Sequence, residues 1–135
     1  MAKIDVSKLW AANYRLVVSV ITEVNGQLSP LGIDTKQLMI LDQLDANPHP
    51  AALAEALAIP KPTVTMYVKG LEELGFVKRE IDPKDLRRFK LTLTPDGKKV
   101  LTKGNALFIA KFEARLANLT HAQQAEFKAL IDKMI

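Results

Sequence analysis

Lysine and arginine side chains are concentrated in one part of this sequence. Residues 61–103 contain eleven of them against six aspartates and glutamates, whereas the rest of the 135-residue chain has eight against nine. The densest stretch, DPKDLRRFK at 82–90, holds four bases and two acids. Ammonium and guanidinium groups at this density can bind a polyanion such as nucleic acid, and a merely solvated charged surface is the competing interpretation.

Residue types that catalysis or metal binding requires are sparse. The chain has no cysteine, which excludes disulfides, thiol nucleophiles and CxxC zinc sites. The two histidines, His49 and His121, are far apart in sequence, and we interpret them as a loop-surface residue and a helix-start residue. The sequence contains no GxSxG, Walker A or HExxH motif. We therefore expect no catalytic activity, no metal and no cofactor.

The first half of the chain predicts three helices. Apolar residues at helical spacing from Ile4 to Val24 predict a long amphipathic helix, which Asn25-Gly26 could end and which stops at Gly32 at the latest. A capping-box pattern at Asp34 and Gln37 begins the second helix. An alanine-rich third helix is expected over 51–58.

The second half predicts a helix, a hairpin and two more helices. The fourth helix begins at Pro62, and after Gly75 the apolar period changes to two, which predicts strands over 77–81 and 89–93 with a long, charged tip. Thr94-Pro95 starts a fifth helix that runs to about Leu116, and a capping box at Thr120 and Gln123 starts the sixth.

These elements predict one domain over residues 1–135, mainly α with a small β-hairpin (α+β). Its length suffices for an ordinary hydrophobic core. The sequence has neither a signal peptide nor an apolar run of the roughly 20 residues that span a bilayer. We expect a soluble, cytoplasmic protein that does not associate with a membrane.

Helix, short turn, helix and charged hairpin, in that order between Ala51 and Leu93, is the arrangement of a winged helix-turn-helix. In such a unit the second helix enters the major groove of double-stranded DNA with its N-terminal residues, because there side chains meet base edges and the helix N-terminus faces phosphates. The face left over by the apolar stripe supplies the candidate groove residues Lys61, Pro62, Thr63, Thr65, Met66 and Lys69.

The segment AALAEALAIPKPTVTMYVKGLEELGFVKREIDPKDLRRFKLTLTPDGKKVL resembles the multiple-antibiotic-resistance regulator (MarR) family. Three pieces carry the resemblance: PTVT leading to LEELGFVKR, the wing DPKDLRR, and LTLTPDGKKV entering the fifth helix. LSPLGIDTKQLMIL is similar to the family's junction between the first and second helices. The resemblance implies a winged DNA-binding unit at residues 33–94 and dimerisation helices at 1–32 and 95–135.

A homodimer is implied by the resemblance and favoured by the residues themselves. The terminal helices carry more apolar side chains than two helices could cover alone, so a second copy of the chain is the economical way to bury them. Packing within one chain is the alternative. The residues are Leu107, Phe108, Phe112, Leu116, Leu119, Phe127, Leu130 and Ile131.

By the same resemblance, Arg87 matches the wing arginine that reaches into the minor groove, and Asp85 matches the acidic residue that orients it. A planar guanidinium on a hairpin tip suits the concentrated negative potential of a narrow minor groove. We expect Lys84, Arg88 and Lys90 to contact phosphates, which set affinity and salt dependence rather than sequence preference.

Three residues depart from the family pattern. Pro60 stands where a capping serine is usual, Met66 where a basic residue is often found, and Lys84 where an arginine is common. Base preference therefore stays open, since Met66 could contact a thymine methyl group or simply fill a gap.

Members of this family commonly respond to small phenolic or other aromatic ligands near the junction of the dimer helices and the winged unit. The candidate ligand residues are Trp10, Tyr14, Met39 and Phe108, with ordinary packing as the alternative. The expected function is a transcriptional regulator, a repressor that binds a pseudo-palindromic operator as a homodimer and is released by such a ligand. The alternatives are a winged-helix module that binds protein and an enzyme built on a helical dimer.

Overall fold

Helices make up most of the computed structural model, which describes residues 2–135. These residues form the six α-helices and the two-stranded antiparallel hairpin that the sequence predicts, and a short 3-10 helix in addition. The elements are α1 (Val6–Leu28), the 3-10 turn (Ser29–Leu31), α2 (Thr35–Gln43), α3 (Pro50–Leu57), α4 (Lys61–Glu73), β1 (Val77–Asp82), β2 (Asp85–Leu93), α5 (Pro95–Leu116) and α6 (His121–Met134).

Side-chain caps fix where several helices begin. The capping boxes predicted at Asp34 and Thr120 are both present. At the start of α5 the Thr94 hydroxyl accepts a hydrogen bond from the backbone N–H of Gly97 at 3.0 Å. The same hydroxyl donates to the carbonyl of Gly75 at 2.6 Å, so this cap also ties α5 to the turn between α4 and β1.

The junction of α1 and α2 differs from one of the sequence interpretations. Asn25 and Gly26 do not end α1, which continues to Leu28. The Asn25 side chain instead accepts hydrogen bonds from the backbone N–H of Thr35, at 2.7 Å, and from the Thr35 hydroxyl. A polar residue that suggested a helix break therefore joins the first helix to the second.

The hydrophobic core lies where the C-terminal half of α1 meets α2, α3, α4, α5 and the base of the hairpin. Burial of each large apolar side chain contributes about 1.5–3 kcal/mol. The fully or nearly buried residues are Val20, Val24, Leu28, Ile33, Leu38, Ile40, Leu41, Leu44, Leu53, Val64, Val68, Leu71, Val77, Leu91, Leu93 and Val100. Over residues 2–135 we find no single helix with the length and apolar character of a membrane span, although residues 6–31 and 35–43 together, bent by 83°, meet those criteria.

The hairpin has a tighter turn and a more irregular second strand than predicted. The strands extend to Asp82 and Asp85, which pair across Pro83 and Lys84, so the expected long tip is wrong. The next pair is Ile81 with Phe89, which leaves residues 86–88 of β2 without partners on β1. This bulge re-aims the strand and places two arginines at the end of the wing.

Candidate nucleic-acid interface

Helix α4 presents one polar face because its apolar residues face the core. Val64, Val68 and Leu71 are fully buried, which turns the opposite face outward. Of the six predicted groove residues, Thr63 is half-buried and the other five are exposed. The exposed ones are Lys61, Pro62, Thr65, Met66 and Lys69.

The N-terminal end of α4 is free of a side-chain cap. Pro60 occupies the cap position and makes no side-chain hydrogen bond to the helix. The positive end of the helix dipole is therefore available to an external anion such as a phosphate. The Thr65 hydroxyl donates to the carbonyl of Lys61 at 3.0 Å, so it lies along the helix in this structure.

Arg87 projects from the wing and is held by Asp85. Its Nε lies 3.1 Å from Asp85 Oδ1 and its Nη2 lies 3.4 Å from Oδ2, while the backbone N–H of Arg87 donates to Oδ1 at 3.1 Å. The guanidinium hydrogen bond, followed by the backbone one, holds the pKa of the Asp85 carboxyl below its usual value. The Arg87 side chain remains 91% exposed, so the pair orients a cation without covering it.

Asp82 is the last residue of β1, next to the turn, and its side chain is only 7% exposed. Its carboxylate accepts from the backbone N–H of Lys84 at 2.9 Å and lies 3.5 Å from the Nε of Arg88. The Lys84 hydrogen bond first, and then the charges of His49 and Arg88, hold the pKa of Asp82 below its ordinary value against the opposing effect of burial. The position of Arg88 therefore depends on Asp82.

His49 is not the loop-surface residue that the sequence suggested. It occupies the N-cap position of α3, and its ring contacts both strands of the wing. Nδ1 is 3.0 Å from the carbonyl oxygen of Phe89, and Nε2 is 3.2 Å from Asp82 Oδ2. Next to it, the backbone N–H of Leu91 donates to the carbonyl of Pro48 at 2.8 Å. The loop before α3 is thus bound to β2. His49 and Phe89 are forty residues apart in sequence, so no local sequence pattern predicts their contact.

The remaining phosphate candidates lie at two levels of the wing. Lys84 and Arg88 are exposed at its tip, whereas Lys90 is half-buried and stands opposite Glu80 in the strand register. Of the apolar residues that gave the strands their period of two, Ile81 and Phe89 are exposed and pair with each other. The alternation therefore identifies the strands correctly while only their lower halves join the core.

A cavity of about 580 Å³ lies among α1, α2, α5 and α6. Met39 and Phe108 line it, as expected of ligand residues, but Trp10 and Tyr14 do not. These two side chains are 67% and 61% exposed, because the first turns of α1 extend beyond the core of their own chain. The lining that one protomer provides therefore includes two of the four candidates, and the assignment of Trp10 and Tyr14 stays a prediction.

The lining of this cavity is mainly apolar, with a few polar groups. Asn13, Thr35, Asp42, Gln43 and Asn105 supply them. The Asn105 side-chain amide donates to Asp42 Oδ1 at 3.2 Å. Among the lining residues that the structure describes, Asp42 is the one ionisable group. In the described part of the chain, no three His, Asp or Glu side chains are grouped as metal ligands.

Comparison with known proteins places this arrangement in a family. The sequence profile of the MarR family matches residues 31–88, from the 3-10 turn to the wing arginines. The HTH-type transcriptional repressor Rv2887 of Mycobacterium tuberculosis (strain ATCC 25618 / H37Rv) is 30% identical over 123 residues, which are 90% of this chain and 88% of that protein.

Solved structures agree with the sequence comparison. The structure of the Mycobacterium tuberculosis MarR family protein Rv2887 in complex with salicylic acid is 29% identical, with a TM-score of 0.75 over 92% of this chain and 93% of that one. A MarR transcriptional regulator from Methanosarcina mazei Go1 has the same fold, with a TM-score of 0.83 at 23% identity over 95% and 94% of the two chains. The chain therefore belongs to the MarR family of winged helix-turn-helix transcriptional regulators.

Proposed function

We propose that this protein represses transcription by binding a pseudo-palindromic operator as a homodimer, and that a small aromatic ligand releases it. The observation that carries the proposal is the wing. An exposed arginine is oriented by Asp85 at the end of a hairpin that follows directly on a helix with an exposed N-terminal face. A relative of similar length, Rv2887, is named as a transcriptional repressor.

The proposed mode of DNA binding follows from the two exposed elements. Helix α4 enters the major groove, where Lys61, Thr65, Met66 and Lys69 lie on its outward face. Arg87 enters the adjacent minor groove, where its planar guanidinium meets the strongest negative potential. In a two-fold symmetric dimer, the two α4 helices would meet half-sites about 34 Å apart, which is one turn of DNA.

The homodimer is proposed from uncovered apolar surface at both ends of the chain. In α6, all of whose residues are described, no side chain is buried. The N-terminal half of α1 also leaves its apolar residues exposed, and a second copy of the chain buries both surfaces at once. These exposed side chains are Val6, Leu9, Trp10, Tyr14, Val17, Val18, Leu119, Leu130, Ile131 and Met134.

The effector site is proposed in the cavity next to Met39 and Phe108. The Rv2887 structure contains salicylic acid, which supports an aromatic ring as the ligand. In this chain, however, the described lining offers a carboxylate at Asp42 and no lysine, arginine or histidine. An aromatic carboxylate would find no counter-charge there, so an uncharged or cationic aromatic ligand fits better.

The DNA-binding part of the proposal is tested with selected operator fragments and three variants. Arg87→Ala should weaken operator binding by about 1–3 kcal/mol, and Lys90→Ala should reduce the slope of log affinity against log salt by about one. Arg79→Ala is the matched control, because this arginine of the same hairpin is already held by Glu72 at 2.8 Å. Unchanged affinity and salt slope in both test variants would reject the assignment of the wing.

The effector part is tested with a pair of ligands of nearly equal shape. Salicylamide should raise the melting temperature and release the operator at lower concentrations than salicylate, and Phe108→Ala should weaken both effects. A stronger effect of salicylate would contradict the charge argument. No effect of either compound would contradict the proposed site.

A further inference from the structure

One histidine ring joins the turn end of the wing to the loop before α3. Both ring nitrogens of His49 face oxygen acceptors: Nδ1 lies 3.0 Å from the Phe89 carbonyl and Nε2 lies 3.2 Å from the Asp82 carboxylate. Neither acceptor can supply a proton if Asp82 is ionised, and the lowered pKa of Asp82 keeps it so. Each contact is therefore a hydrogen bond only when the nitrogen on that side carries the hydrogen.

A neutral imidazole has one N–H and the imidazolium has two. The neutral ring can hold either the Phe89 carbonyl or the Asp82 carboxylate, and it turns a lone pair toward the other oxygen. The protonated ring holds both and places its charge beside the carboxylate, which strengthens that bond further. The arrangement in the structure is thus complete only with a protonated His49.

We propose that His49 is a proton-sensitive positioning residue, and that its protonation tightens the wing and strengthens operator binding. The effect reaches the DNA-binding side chains through Asp82. The same carboxylate that faces His49 also accepts from the backbone of Lys84 and lies beside the guanidinium of Arg88. Loss of the His49 hydrogen bond therefore loosens the turn that carries the tip of the wing.

The charged groups around the ring set the direction of the effect. Asp82, on β1, faces the ring directly at 3.2 Å, so the positive charge of a protonated ring is paired there. Arg88, on β2, carries a like charge, but it lies on the same carboxylate and its side chain is 58% exposed, so solvent screens it. The His49 side chain is 18% exposed, which leaves it accessible to exchange of protons with solvent. Binding should therefore be tighter at the acidic end of the histidine range.

The inference rests on the proposed operator binding, and the experiment separates the two. Operator dissociation constants are measured at about pH 6 and pH 8, which bracket the ordinary titration of histidine, at constant ionic strength. The wild-type protein should bind about three- to tenfold more tightly at the lower pH. His49→Gln should lose this difference and bind at both values as the wild type does at the higher one.

The chain offers a matched control, because its second histidine, His121, is exposed at the start of α6. His121→Gln should keep the full pH ratio of the wild type. An equal ratio in His49→Gln and wild type, with binding intact, would overturn the role of His49 alone. Absence of operator binding in all three proteins at both pH values would overturn the proposed function as well.

A second measurement does not depend on the stability of the His49→Gln variant. In ring nitrogen NMR spectra of the full-length protein, both nitrogens of His49 should carry hydrogens at about pH 6. A wild-type His49 ring with only one N–H at that pH would contradict the proposal directly.

Discussion

Replacement of Gly97 by alanine should disrupt the joint between the wing and α5. A Cβ atom added at this position would lie 2.0 Å from the carbonyl oxygen of Phe76, 2.9 Å from its carbonyl carbon and 3.2 Å from its Cα. Carbon and oxygen atoms in ordinary contact are about 3.3 Å apart or more, so the two backbones must separate by about 1 Å. No rotamer change relieves the clash, because the atoms in the way are backbone.

The size of the effect follows from what that separation breaks. The Phe76 carbonyl accepts a hydrogen bond from the backbone N–H of Thr94 at 3.1 Å, and Thr94 in turn caps α5. Overpacking of this kind costs about 1–3 kcal/mol, and the weakened hydrogen bond adds about 1 kcal/mol. The higher helix propensity of alanine returns less than about 1 kcal/mol. The expected net loss is about 1–3 kcal/mol, or a fall in melting temperature of about 3–15 °C.

Gly26→Ala is the matched control for this measurement. Gly26 lies inside α1, and an added Cβ meets no described atom within 4 Å, so this substitution should stabilise the protein by about 0.5–1 kcal/mol. Both variants are unfolded by heat and by urea at one fixed protein concentration, because the stability of the proposed homodimer would depend on concentration. A Gly97→Ala protein as stable as Gly26→Ala would refute the close approach of α5 to Phe76.

Two further predictions concern charged groups. Arg115→Ala should lower the melting temperature by a few degrees, because Arg115 joins α5 to α1 through Glu23 at 2.9 Å and Ser19 at 3.1 Å. The control Lys128→Ala removes an ion pair with Asp132 within α6 and should have almost no effect. The free energy of unfolding should fall as pH drops from about 5 to 3, because hydrogen bonds lower the pKa of Asp82 and Asp85 in the folded protein. The unfolded chain therefore binds more protons than the folded one in this range. Urea midpoints should show a smaller acid loss in Asp82→Asn than in the exposed-carboxylate control Asp45→Asn.

Local signals in the sequence account for most of the fold. Asp34, Thr94 and Thr120 are caps whose hydrogen-bond partners lie within three residues, so the spacing alone identifies them. The change from helical to alternating apolar spacing after Gly75 likewise locates the hairpin to within a few residues. Asn25 is the contrasting case. Its hydrogen-bond partner Thr35 is ten residues away and outside the helix, so local spacing does not identify it.

In the candidate site, too, the sequence predicts the local contacts and not the long-range ones. Asp85 and Arg87 are two residues apart, and the resemblance that matched them implied the contact that the structure shows. His49 meets Phe89 forty residues away, and a histidine after a proline gives no sign of it. The exposure of Trp10 could not be predicted from local spacing either, since it depends on how far α1 extends beyond the core of its own chain.

The long-range contacts also suggest how a ligand bound among the helices could change the position of the wing. The wing is held at two levels, near its turn by His49 of the loop before α3 and at its base by the hydrogen bond from Thr94, at the start of α5, to Phe76. The Arg87 side chain has no such tie beyond the hairpin, since it is held by Asp85 alone among the described side chains. A displacement of α5 at the cavity should therefore move the base of the wing through the Thr94–Phe76 hydrogen bond and carry the tip along. A ligand that favours one helix spacing by a few kcal/mol would in this way select the spacing of two wings on DNA.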